Sequence, residues 1–233
     1  TGYNKSDYLA KFRFNTPRSF SIPTAIELKY SVTDEVSNET YLGLSRSDFA
    51  VDPLRRYAAS GIDEMNADHT QMVVTGAVKP FENVDVTVAY YNNGFGRNWY
   101  KLSKVGGKSI SSILSTGNDH PDYALLSAEN TDDNVFQIKA NNRIYEAEGV
   151  QFVTNSRFSL LKTSHSFMAG FRKHTDGMDR FQKVDKYGMQ SKRLVMTSEG
   201  VLGTGSKNNR LYTAGATSFF LEDEFEVGVM RVT

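Results

Sequence analysis

Short segments whose side chains alternate strictly in character recur along this chain, and they restrict its fold more than any other feature. In residues 25–33, Ile26, Leu28, Tyr30 and Val32 fall on one face and Glu27, Lys29 and Ser31 on the other. That period of two suits a strand; a helix would scatter the charges around its axis. Val84, Val86, Val88 and Tyr90 oppose Asp85, Thr87, Ala89 and Tyr91 in the same way. Tyr8, Ala10, Phe12 and Phe14 repeat the pattern against Leu9, Lys11, Arg13 and Asn15, as do Phe167, Ala169 and Phe171 against Met168, Gly170 and Arg172. Weaker versions lie at 67–79, 147–160, 211–222 and 227–233.

These eight candidate strands are separated by gaps of about 8, 33, 4, 52, 4, 36 and 4 residues, a short-long rhythm typical of outer-membrane barrels. A strand tilted across a bilayer needs about ten residues, with one row facing lipid and the next facing the interior. A soluble sandwich or lipocalin would show mostly short connections. The short turns, Pro17–Pro23, Lys79–Asn83, Leu161–Ser164 and Glu222–Glu226, are assigned to the periplasmic side. The segments 34–66, 96–146 and 175–210, rich in Gly, Asn, Asp and Ser, are assigned to the outer side. Within them, Ser109–Ser115 and Val135–Ala140 are candidates for short helices or extra strands.

Composition agrees with this class. There are 27 Lys+Arg against 27 Asp+Glu, which disfavours a nucleic-acid partner, and no cysteine, which removes disulfides, thiol catalysis and zinc-thiolate sites. No run approaches the about 18 apolar residues of a membrane-crossing helix, and a mean hydropathy of -0.45 is no obstacle to a barrel, whose strands average out as hydrophilic. The 12 Tyr and 15 Phe suit the two aromatic girdles of such a barrel.

Enzyme signatures are scarce: no nucleophile elbow, phosphate-binding glycine loop or HExxH is present, and the Gly203–Gly205 run is too short to count. Asn118, Asp119, His120 and Asp122, like Asp176, Asp179 and Asp185, read as solvated loops before they read as a cation site. His69, His165 and His174 show no ligand spacing. Arginine is more informative, because an anionic ligand in a water-filled vestibule calls for fixed charge with forked donors. Candidates are Arg46, Arg55, Arg56, Arg97, Arg143 and Arg180. Arg97 stands out, because it lies in GFGRNWY at Gly94–Tyr100 beside Trp99, the single tryptophan, just past an outgoing strand.

The segments ETYLGLSRSDFAVDPLRRYAAS (Glu39–Ser60), NNGFGRNWYKL (Asn92–Leu102), NNRIYEAEGVQF (Asn141–Phe152), DGMDRFQ (Asp176–Gln182) and SFFLEDEFEVGVMRVT (Ser218–Thr233) resemble, in order, the barrel of TonB-dependent receptors of the ferric citrate receptor type. The resemblance implies an all-β, transmembrane antiparallel β-barrel. The whole 1–233 segment would be a part of it, about eight strands of a barrel of about 22, with the N-terminal plug domain lying outside this chain. It implies the bacterial outer membrane, no catalysis, no resident cofactor, and a ferric chelate as transported ligand. The implied partners are the TonB complex, acting through the plug, and outer-membrane lipid and lipopolysaccharide. The implied ligand contacts are Arg97 and Arg180, with Arg56 beside them; His69, and Trp99 from its place beside Arg97, complete the expected ligand-binding set. Asp68 and His69 stand where family members place basic residues, which leaves open which chelate is carried. Uptake of a non-iron nutrient, a self-contained eight-stranded anchor or adhesin, and an outer-membrane hydrolase using His69 or His174 are the alternatives.

Overall fold

The computed structural model describes residues 2–161, 163–203, 209–227 and 230–232. Its chain forms one antiparallel sheet. Strands β1 (Tyr3–Asn15), β2 (Thr24–Ser37), β3 (Glu64–Phe81), β4 (Val84–Val105), β6 (Phe136–Leu160), β7 (Thr163–Gln190), β9 (Arg210–Val227) and β10 (Met230–Val232) pair each with the next in chain order. Two short strands lie off this path: β5 (Lys108–Ser109) pairs with β4, and β8 (Arg193–Ser198) with β7. Each expected strand corresponds to one of the eight, but Glu222–Glu226, expected as a turn, lies within β9, and of the strand expected over 227–233 residues 228, 229 and 233 lie outside the described residues.

The register joins the alternating rows into two surfaces. Phe12 stands opposite Leu28, Leu28 opposite Val74, Val74 opposite Tyr90, and Tyr90 opposite Val150. The next row runs Phe14, Ile26, Gly76, Val88, Phe152, Phe171, Phe219. Ile26 and Phe219 on this face are 52% and 76% exposed, which in water would be unfavourable and beside lipid acyl chains is not. The opposite face carries Lys11, Glu27, Lys29, Gln71, Asn93 and Arg172. The sheet is therefore a transmembrane barrel wall, apolar outward and polar inward.

Glycines fit the inner rows to one another. Gly170 pairs with Phe220 and Gly149 with Tyr91, and a methyl group added at either glycine would collide with the aromatic ring across the ladder.

Three strands run well past the bilayer. β4, β6 and β7 have 22, 25 and 28 residues, against the about ten a crossing requires. The sequence reading ended the first of these near residue 91 and treated 96–146 and 175–210 as loop; the structure corrects both. Residues beyond the lipid belt no longer need an apolar row, so the alternation that marks the membrane part fades while the ladder continues. Val135–Ala140 belongs mostly to β6, and Ser109–Ser115 to a short helix, α2 (Ile110–Thr116), capped by the Ser109 hydroxyl. Gly106 and Gly107, at φ +55° and +80°, make the tight turn between β4 and β5 that side chains with a Cβ resist.

The buried core sits on these extensions, not in the barrel. Leu102, Val105, Phe136, Ile138, Tyr187 and Met189 lie on the face continuous with the lipid-facing rows. Leu42, Tyr57 and Ala59 from the 38–63 connection, and Ile113 and Leu126 from the 106–135 connection, cover them. Two of the long connections thus fold back over the outside of the wall, and at its outer rim Tyr41 and the start of α2 reach over onto the inner face.

Candidate functional site

Four arginines stand in register on the inner face. Arg97 of β4 is opposite Arg143 of β6, Arg143 is opposite Arg180 of β7, and Arg180 is opposite Arg210 of β9. With neighbouring strands about 4.8 Å apart, the row spans about 14 Å. Its height follows from the outer face, which turns polar at Asn92 and Glu148. Arg97 lies five residues farther along β4, about 17 Å toward the outer end. The row is therefore in the mouth of the barrel, above the lipid belt.

Like charges directly opposite one another on a sheet are destabilising. Among the described residues none of the four arginines forms an ion pair with a carboxylate. From Arg97, Arg143 and Arg180 to the outer ends of their strands, the inner face carries Lys101, Lys104, Lys139 and Lys186 and no Asp or Glu. The Nε–H groups of Arg143 and Arg180 are buried without a hydrogen-bond partner. A buried donor left unmatched carries a penalty of about 1–3 kcal/mol.

Below the arginines runs an aromatic row. His69, Phe95, Tyr145, Met178 and Tyr212 are successive partners across β3, β4, β6, β7 and β9. Phe95 stacks on Tyr145 with ring centroids 6.0 Å apart and meets His69 edge-on at 6.1 Å. Arg143 Nη1 donates to the Tyr145 hydroxyl at 3.1 Å, and Arg210 Nη1 donates to the Tyr212 hydroxyl at 3.0 Å. These phenols hold the guanidinium planes in place and leave further donors free. Above the arginines, Trp99 also points inward; its ring is edge-on to Tyr41 at 4.7 Å, and its Nε1 is buried without a partner.

The structure thus brings Arg97 and Arg180 into one row, with His69 one row below and Trp99 one row above. Arg56 is apart. Its guanidinium donates to the carbonyls of Asn38, Ser60 and Asp63 and so clamps the 38–63 connection. Sequence reasoning named Arg143 only as a candidate and missed Arg210, Tyr145 and Tyr212. The turn between β6 and β7 does mark Arg143 as the partner of Arg180, since residues equidistant from a tight turn face each other.

The connections outside the wall are fixed by two carboxylates. Asp48, in α1 (Arg46–Val51), accepts from the Tyr57 hydroxyl at 2.6 Å, from Arg55 at 2.8 Å, and from the Tyr123 hydroxyl of the other connection. The bonds from Tyr123 and Tyr57 hold the Asp48 carboxyl below its ordinary range, while burial and the contact with Asp48 push the Tyr57 hydroxyl up. Asp63 accepts from Leu102 N and Thr40 Oγ1, both at 2.8 Å, and burial pushes its carboxyl up to about 6. The Asn118–Asp122 stretch is a bonded turn in which His120 Nδ1 accepts from Asp122 N at 3.1 Å.

Two solved structures share this architecture. The ferric citrate transporter FecA in its unliganded form matches 97% of the chain with a TM-score of 0.59 at 14% identity. The likeness is one of fold, an antiparallel β-barrel wall. BauA, the ferric preacinetobactin receptor from Acinetobacter baumannii, matches the same share with a TM-score of 0.51 at 10% identity. The chain spans 27% of the first and 32% of the second, so it corresponds to about a third of such a barrel protein. No protein-family model and no curated relative matches it.

Proposed function

We propose that this chain is part of the barrel of a TonB-dependent receptor in the bacterial outer membrane, and that the barrel takes up an anionic ferric chelate. The observation that carries the reading is the row Arg97, Arg143, Arg180 and Arg210, aimed into the mouth with no carboxylate partner among the described residues. A wall that keeps four guanidinium groups side by side gains nothing in stability from them. A ligand bearing several carboxylates or phenolates relieves their repulsion and takes up their unused donors in forked, charge-assisted hydrogen bonds. The polyanionic shell of a ferric chelate has that character. That FecA is a ferric citrate transporter and BauA a ferric preacinetobactin receptor supports the same reading.

In this scheme Arg97 and Arg180 are anion contacts, joined by Arg143 and Arg210. Trp99 and His69 flank the ligand above and below, and Arg56 shapes the outer connection. The iron complex is cargo. The TonB complex would act through a plug domain outside this chain, and the apolar outer belt would meet lipid and lipopolysaccharide.

The test is uptake of radiolabelled ferric chelates by cells carrying the full receptor with Arg97→Ala and Arg180→Ala. A loss of affinity of about tenfold or more for one anionic chelate is expected, since each bond to a charged group contributes about 1.5–3 kcal/mol. Unchanged uptake of every anionic chelate would defeat the reading.

A further inference from the structure

A separate cavity of about 750 Å³ opens on the inner face beyond the arginine row. Its floor is formed by Lys101 and Lys104 of β4, Lys139 of β6 and Lys186 of β7, and α2 overhangs it with Ser111 and Leu114. Lys101 lies four residues beyond Arg97, and Lys139 four beyond Arg143, so the floor is about 13 Å farther out. Lys101 and Lys139 are cross-strand partners, another pair of like charges placed face to face. No carboxylate lines the cavity. Tyr41 lines the cavity and Trp99 stands between it and the arginines; the Lys101 ammonium lies 3.2 Å from the Tyr41 ring centroid and 4.7 Å from that of Trp99.

We propose that this cavity is a second anion site, an outer station that captures a carboxylate-bearing ligand before it reaches the arginines; this rests on the reading of the chain as an uptake barrel for an anionic chelate. The chemistry of the two stations differs in the direction that such a sequence needs. Lysine is a mobile, strongly hydrated point charge that attracts anions over a distance without fixing their orientation, whereas arginine supplies a planar fork that fixes it. A concave, single-sign surface raises the local concentration of anions and speeds encounter. Tyr41 and Trp99, with Lys101 held over their faces, form the step between the stations, where the ammonium can trade its ring contacts for a ligand carboxylate.

Lysine acetylation tests this in the full receptor, with iron-free citrate as the probe and glycerol as the neutral control. Citrate at about twice its dissociation constant is expected to slow acetylation of Lys101, Lys139 and Lys186 about threefold, as simple occupancy requires. Lys192, at the exposed tip between β7 and β8, should label at the same rate throughout. The protection should persist in the Arg97→Gln, Arg180→Gln variant. Equal labelling with and without citrate overturns the proposal, as does protection that vanishes with the arginines, because the anion would then sit at the arginine row alone. If the lysines are protected while the receptor takes up no ferric chelate, the transport reading falls and the cavity site stands.

Discussion

Arg143 and Arg180 face each other across the β6–β7 ladder on the inner wall, and the Nε–H of each is buried with no hydrogen-bond partner. On the proposed reading, the arrangement trades stability for binding. Replacing Arg143 with Met should leave the ligand-free barrel as stable as before, or stabilise it by a few tenths to about 1 kcal/mol, while weakening capture of the proposed anionic chelate. Denaturant unfolding and equilibrium binding on the same variant check both halves. A clear loss of stability would show that the pair is structural.

The inner wall is closely fitted at Gly170, where the Phe220 ring occupies the space a side chain would need. Gly170→Ala should therefore destabilise the barrel by about 1–3 kcal/mol, the usual range for overpacking. Phe220→Ala in the same chain should recover part of the loss. A double-mutant cycle in refolding yields measures the coupling, and additive effects would refute it.

The two faces of one strand should respond differently to charge. Leu28→Arg places a cation in the outward apolar row and should cost about 2–4 kcal/mol if it lies near the bilayer midplane. Gln71→Lys, in the inward polar row, should fall within about 0.5 kcal/mol of the parent. Equal effects in a lipid refolding assay would reverse the assignment of faces.

Asp48 ties the 38–63 connection to the 106–135 connection through Tyr57 and Tyr123. Asp48→Ala leaves two buried or half-buried hydroxyls without their acceptor and should release both connections without unfolding the wall. Faster proteolytic cleavage in both segments, with an unchanged barrel melting transition, is the expected result.

The two carboxylates respond to pH in opposite senses. The Asp63 carboxyl is raised from 3.8 to about 6, so its protonated form fits the folded connection better, and docking should weaken as pH rises from about 4 to 6 and then level off. The Asp48 carboxyl is lowered below 3.8, so its contribution is present above that value and is lost only at more acid pH. Hydrogen exchange at the Leu102 amide, which donates to Asp63, should follow the first trend. Asp63→Asn should abolish it.

The membrane part of this fold was legible because lipid and water impose opposite demands on successive residues. Ile26, Leu28 and Tyr30 against Glu27, Lys29 and Ser31 leave little other choice than a strand with one face in each medium. The outer extensions were less legible. Beyond the belt both faces meet water or protein, so Arg97, Trp99 and Lys101 on one side and Tyr100 and Leu102 on the other carry no simple periodic signal, although the strand continues unbroken to Val105.

By itself the sequence determined which residues share a face and, through each tight turn, which residues face one another; Arg143 and Arg180 are partners because the chain reverses just beyond the Leu160–Thr163 pair, and register near so short a turn is set by local geometry. The partnerships of Arg97 with Arg143 and of Arg180 with Arg210 cross connections of about thirty and twenty residues, whose length leaves the register open. Only the tertiary structure decided them. Leu102 and Val105 of β4 pack beside Ile138 and Phe136 of β6 under the folded-back connections, which fixes how far β4 slides along β6. That register is what aligned four separate arginines into one row.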